Sequence, residues 1–338
     1  MYYLSVGDMA QAFQMRRHNA ALQTHLVRLT EEMTTGIRAD LSEAVSGDFR
    51  ALAGLDRSLA TLAAYKTATD EAALLTQTVQ FALETVQELA TDLGPGLLSA
   101  ATSGSPTLVA TTAGDARQKF ASVVSALNTQ VADRYLLSGT ATDRTPLADA
   151  DAILSALDAA TAGQVSAAGV ASAVAAWFDV PPGGGGFLDV AYGGATVPLA
   201  PFGIGAGESA TMDLTAADPA LRDLLEGFAL GALVAQGTLQ GDDAGRSFLL
   251  KRSGEALLAS GNDLAAVRAR VGSVEARIAG AGARNAAEAS ALQIARNGLV
   301  AADPYDTASA LQAVQTQIET LYTLTARFSR LSLTDYLG

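Results

Sequence analysis

Residues 303–338 read DPYDTASALQAVQTQIETLYTLTARFSRLSLTDYLG, and the apolar positions in this stretch recur at steps of three and four. Leu311, Val314, Ile318, Leu321, Thr325 and Phe328 fall in one line down a helix, a narrow stripe suited to a single partner helix. The other end of the chain carries a matching stripe. Met15, Asn19, Leu22, Leu26, Leu29 and Met33 follow the same alternation. Two one-stripe ends predict helices that pair with each other and with neighbouring subunits. Burying a Leu, Ile or Phe side chain is worth about 1.5–3 kcal/mol, whereas ordering the backbone costs about 1–2 kcal/mol per residue. A short row of seam residues does not offset the ordering of a whole segment. Residues 1–36 and 303–338 are therefore expected to be mobile in a monomer and helical on assembly.

Working inward, helical periodicity predicts a first helix over 8–36, stopped by Gly36. A second, over 48–92, carries Leu52, Leu55, Leu59 and Leu62 in one heptad frame. Leu75, Val79, Ala82, Val86, Leu89 and Leu93 follow in a frame shifted by one residue. Gly94-Pro95-Gly96 is expected to end it, and a Ser/Thr/Gly-rich loop to follow. A third helix is expected over 114–136. Over 250–302 a single heptad frame runs from Leu257 through Leu264, Val267, Val271, Val274, Ile278 and Ala281 to Leu292, Ala295 and Leu299. Asn285 and Glu288 interrupt it, read as register-setting polar positions or a local opening. Asp303-Pro304 breaks that helix, and Asp303 suits the N-cap of the next.

The block 139–246 differs in kind. It holds seventeen of the 32 glycines, and between Gly139 and Gly245 thirteen acids stand against only Arg144 and Arg222, whereas the flanks carry 22 acids against 20 bases. FLDVAY (187–192), ATVPLA (195–200) and SATMDL (209–214) read as short strands, with helices over 149–178 and 218–237. The fold class expected is mainly α: a long antiparallel helical rod with coiled-coil-like termini and an inserted small α+β domain.

Net charge of −13 argues against a nucleic-acid or anionic-membrane partner. The absence of cysteine excludes disulfides, thiol catalysis and thiolate metal sites. MYYLSVGDMA has neither a basic n-region nor an apolar h-region, so no cleaved secretory signal is expected. The apolar run Ala167–Phe178 is far short of the ~20 residues a membrane span needs.

Candidate chemistry is sparse. His18 and His25 lie two turns apart on one helix face, about 10.5 Å, too far for one metal to take both. FGIGAGES (202–209) lacks the Lys-Ser/Thr of a phosphate loop and reads as a turn between strands. Gly183 to Gly186 read as a flexible connector. Asp242-Asp243 and Asp149/Asp151 lack the alternating ligands of a calcium loop and read as solvated surface. Trp177 and Phe178 read as core of the insert. No catalytic set, cofactor site or metal site is expected, and the chain is not expected to be an enzyme.

Three motifs carry a resemblance. The N-terminal heptad helix closes on MTTGIRAD (33–40), DRYLLSGTATD (133–143) precedes the divergent block, and ARFSRLSLTDYL (326–337) ends the chain. In this order they resemble the bacterial flagellin family, and the ending is most similar to its hook-associated members at the hook–filament junction. The resemblance covers both helical flanks and not the block between them. AVSGDFRAL (44–52) departs from the family's acidic cluster after the glycine turn.

The resemblance implies a layered structural subunit. Residues 1–38 and 303–338 would form terminal assembly helices of an inner layer, 39–138 and 247–302 a helical rod, and 139–246 an acidic outer domain. It implies an assembly interface at Met15, Leu22, Leu26, Leu29, Met33, Leu311, Val314, Ile318, Leu321 and Phe328. It further implies an export chaperone on Leu311, Val314, Ile318, Leu321, Phe328, Leu331 and Leu333. The implied partners are further copies in a ring, a neighbouring hook-associated protein and flagellin. The implied location is the extracellular flagellum. A filament flagellin is the alternative, and an exported enzyme or binding module carried by the insert is a third reading.

Overall fold

The computed structural model describes residues 6–337, with side chains described over 9–10 and 13–327. The chain divides into two compact units, residues 1–63 with 286–338, and residues 64–285.

The second unit is built from α3 (Arg50–Thr102, whose first turns belong to the other unit), α4 (Pro106–Leu127), α5 (Ala150–Thr161), α6 (Ala167–Asp179), a single turn α7 (Phe187–Val190), α8 (Pro219–Ala235) and α9 (Asp243–Val300). Two antiparallel hairpins complete it: β1 (Gln130–Val131) with β2 (Arg134–Tyr135), and β3 (Phe202–Gly205) with β4 (Glu208–Ala210). The protein is thus mainly α, with strand confined to small hairpins.

Helix α8 is the centre of this unit. It is capped by Asp218, which accepts from the Ala220 N–H at 3.1 Å, and Pro219 sits at its first turn. From Gly227 to Val234 every residue is buried. A helix apolar on all sides belongs inside a fold. Its neighbours are α4, through Phe120 and Val124, and α9, where Ser253 Oγ donates to the Gly227 carbonyl at 2.6 Å. One continuous apolar cluster runs from Leu83 and Leu97 on α3 through Phe120, Phe178, Phe187 and Phe228 to Leu257 and Val271 on α9. The core of 139–246 is therefore shared with the helices that flank it.

The heptads expected on α3 and α9 are the buried faces: Val79, Val86, Leu93, Leu264, Val267 and Val271 all lie inside. Several boundaries differ from expectation. Pro95 does not end α3, which runs on to Thr102. Gly94 and Gly254 lie in close contact where α3 and α9 pack, so tertiary packing carries the helix through the missing N–H. The expected loop after residue 96 is mostly helix, because Ser105 caps α4 by accepting from Leu108 N–H and Pro106 opens its first turn. Helix α4 ends at Leu127 rather than near 136, and the chain turns through β1–β2 with Ala132 and Asp133 at φ 48° and 59°.

FLDVAY is a helical turn and not a strand. Phe187 is fixed between Trp177 and Phe178, with ring centroids at 6.1 and 5.3 Å. Asp189 reaches back to accept from Gly183 N–H at 2.8 Å and Gly185 N–H at 2.7 Å. The glycine run is thus an ordered anion-binding turn, closed by the chain's own carboxylate. ATVPLA forms no named strand; Pro198 lacks an N–H, and the segment bonds instead to the 138–140 loop through Ala195 N–H to Ser138 O and Thr140 N–H to Val197 O. FGIG, expected inside a turn, is β3, and only Glu208–Ala210 pairs with it. This hairpin covers Ala72, Ile278 and Ala281 with Ile204 and Ala210. Asn285 Nδ2 donates to the Ile204 carbonyl at 2.8 Å, which is why the heptad frame on α9 turns polar there. Glu288 is exposed. No helix of the described residues is long and apolar enough to cross a membrane.

Candidate assembly surface

The first unit holds α1 (Val6–Thr35), the short α2 (Leu41–Ala44), the start of α3, the end of α9 and α10 (Pro304–Leu337). Gly36 at φ +68° stops α1, its N–H donating to Glu32 O at 2.8 Å. The chain then makes a two-rung bridge to the α9–α10 junction. Arg38 N–H donates to Val300 O at 2.9 Å, and Ala302 N–H to Gly36 O at 3.0 Å. Glu32 Oε1 also accepts from Ala39 N–H at 3.0 Å. Asp303 caps α10 as expected, accepting from Tyr305 N–H at 2.8 Å and Asp306 N–H at 3.1 Å.

From this bridge α1 and α10 run antiparallel, and Thr325 Oγ1 approaches Met15 Sδ at 3.8 Å. The seam between them is thin. Leu22, Leu29 and Val314 are buried, while Leu26, Leu311, Ile318 and Leu321 are half-buried around them. Met15 is half-buried, but Met33 is 49 % exposed, because the chain already turns at Gly36 toward the bridge. The side chains of Phe328, Leu331 and Leu333 lie outside the described residues.

Each end is thus helical within one chain, with its stripe covered by the other end. The cover is incomplete. Phe13 is 63 % exposed and Val27 66 % exposed. At ~100° per residue, Phe13, Ala20 and Val27 sit roughly 140–180° round α1 from Leu22. Helix α1 therefore has a second apolar line on the face away from α10. On α10, Tyr305, Tyr322 and Leu324 are exposed. A heptad search framed on Leu22 passes over all of these, and the seven-residue spacing of Phe13, Ala20 and Val27 is the signal that finds the α1 line.

The heptad of α9 also changes here. Leu299, expected in the seam, is 37 % exposed, Ala295 is exposed, and the adjacent Val300 is buried against the bridge. Two polar atoms, Asn19 Oδ1 and Arg28 Nε, are buried without a hydrogen-bond partner among the described residues. Arg28 Nη2 donates to His25 Nε2 at 2.6 Å. At the base of the unit, Arg296 Nε donates to Asp56 at 2.7 Å. Asp48 pairs with Arg50, whose guanidinium bonds hold its carboxyl below the usual range. Among the described residues, no three His, Cys, Asp or Glu side chains are grouped to hold a metal ion.

Two long terminal helices are thus zipped over a narrow seam, with apolar residues left on their outer faces. Residues 256–337 match the family model for the bacterial flagellin C-terminal helical region, so this part of the chain is similar to that region. Among solved structures, one described as a flagellar hook-associated protein from Vibrio parahaemolyticus matches at 12 % identity and a TM-score of 0.42, over 73 % of this chain and 99 % of that one. No curated protein matches the chain.

Proposed function

We propose that this chain is a hook–filament junction subunit of the bacterial flagellum, assembled into a ring through α1 and α10. The observation that carries the reading is the pair of terminal helices, whose mutual seam among the described residues buries Leu22, Leu29 and Val314 and leaves Phe13, Val27 and Tyr322 exposed. A thin seam holds the ends together weakly, and the exposed Phe13 and Val27 on the face away from it are available for contact with other chains. The buried, unpartnered Asn19 Oδ1 and Arg28 Nε also suit a seam completed by a neighbour.

In this reading residues 1–38 and 303–338 form the inner layer, and the more acidic block 139–246 contributes outer surface. The neighbours are further copies, a hook-associated protein and flagellin. Before assembly, an export chaperone covers the α10 stripe of Leu311, Val314, Ile318 and Leu321. The ending ARFSRLSLTDYL supports the junction over the filament, by its resemblance to junction proteins.

Removal of residues 303–338 tests the proposal. The expected result is loss of motility, with filament protein secreted but not attached to cells. Loss of the filament protein itself would identify the chain as the filament flagellin, and normal motility would sink both readings.

A further inference from the structure

Away from the terminal helices, a cleft of 590 Å³ opens in the second unit between α4, the start of α5 and the start of α9. Its lining includes Gly114, Arg117, Gln118, Asp151, Leu154 and Arg246. The only charges among the lining residues are two guanidiniums and one carboxylate, so the cleft is net positive inside an acid-rich chain.

Arg246 is the unusual member. Thirty-five acids stand against 22 lysines and arginines, yet Arg246 is in no ion pair among the described residues. Its Nη2 reaches the Val234 carbonyl only at 3.5 Å, the outer limit of a hydrogen bond, and its Nε is buried with no acceptor. The simplest role for Arg246 is to offset the C-terminal dipole of α8. That role uses one long contact and leaves the buried Nε–H unmet, an arrangement that is costly for a charged group. Arg117 is similarly underused, because one of its five donors goes to Asp151 Oδ1 at 3.0 Å.

We propose that this cleft binds a carboxylate, held by the fork of Arg246 and a free arm of Arg117. A planar group of single negative charge matches both the guanidinium geometry and the net charge of the lining. The carboxylate comes either from a small dicarboxylate or from an Asp or Glu side chain of a second copy of this chain.

Gly114 supplies a clean perturbation. A Cβ built there meets nothing within 4 Å, so Gly114→Leu starts its side chain into open space at the cleft and favours the helix. Succinate titrated into the dilute full-length chain is expected to move the amide resonances of Gly114, Ala150 and Arg246 saturably. Binding is expected to weaken about tenfold or more in Arg246→Gln, the loss typical of a charge-assisted hydrogen bond, and also in Gly114→Leu. If Arg246→Gln fails to fold, Gly114→Leu alone decides. Without succinate, the same resonances moving as protein concentration rises, in wild type but not in Gly114→Leu, would assign the carboxylate to a second copy. Resonances that respond to neither succinate nor concentration overturn the proposal, as would inorganic phosphate binding more tightly than succinate.

Discussion

Gly254 on α9 packs directly against Gly94 on α3: a Cβ on Gly254 would lie 2.9 Å from the Gly94 carbonyl oxygen and 2.9 Å from Leu98 Cγ. The reverse substitution is milder, since a Cβ on Gly94 meets the half-exposed Leu258 side chain at 3.2 Å. Gly254→Ala is therefore expected to destabilise the chain by about 1–3 kcal/mol, the usual range for overpacking. Gly94→Ala should stay within about 1 kcal/mol of wild type, because relief of helical glycine offsets the contact. Chemical denaturation of the two variants checks the asymmetry.

Glu226 on α8 makes stability depend on pH. Burial, and then the nearby carboxylates of Asp179 and Asp223, push its pKa up to about 7 from 4.5, against the pull of Arg252. The folded state thus holds a proton that the unfolded state releases earlier. This group's contribution is most favourable below about pH 4.5 and is lost as pH rises through about 7. Part of the side chain meets solvent, so the effect is of order 1 kcal/mol. Glu226→Gln should raise the melting temperature at pH 8 and flatten its dependence between pH 5 and 7.5. An unchanged slope would show that Glu226 is not the group responsible.

The carboxylate of Asp189 closes the glycine turn by accepting from Gly183 and Gly185, and those bonds hold its pKa below the ordinary value. Its contribution is present above the unfolded carboxylate range and is lost as pH falls below it. Asp189→Ala should move hydrogen exchange of the Gly183 and Gly185 amides toward the unprotected rate, while the buried amides of α8 keep their protection. Retained protection at Gly183 would mean that the turn holds without its anion.

In the terminal unit, Leu22→Ala removes a buried seam residue and should cost about 2–3 kcal/mol, the lower part of the range for a core leucine because the described seam is thin. Loss of helix signal on warming reads this directly. Val27→Ala, on the exposed line, should change the same melt by no more than about 0.5 kcal/mol.

The long helices and their buried faces were legible because heptad spacing reports burial on one side of a helix wherever a partner helix exists. The Leu257–Ala281 frame lies against partner helices for that reason, whereas at Leu299 the covering element is a short backbone bridge and not a helix. Pro95 misled because local propensity ends a helix that packing at Gly94 and Gly254 sustains. FLDVAY looked like a strand from its alternation, yet Phe187 is fixed by Trp177 and Phe178, and Asp189 by glycine amides, neither of which a local pattern shows. Of the candidate surface, the inner seam was readable as a stripe. The outer line of Phe13 and Val27 has its own seven-residue spacing, and the position of α10 on the opposite face is what marks it as uncovered.

If the uncovered face of α1 is an assembly surface, a charge at its centre, Val27→Glu, should block assembly. The purified variant should melt as wild type does, since Val27 lies off the seam. In cells whose only copy carries the substitution, motility and filament retention should be lost while secretion of the chain continues. Full motility with attached filaments would contradict the account.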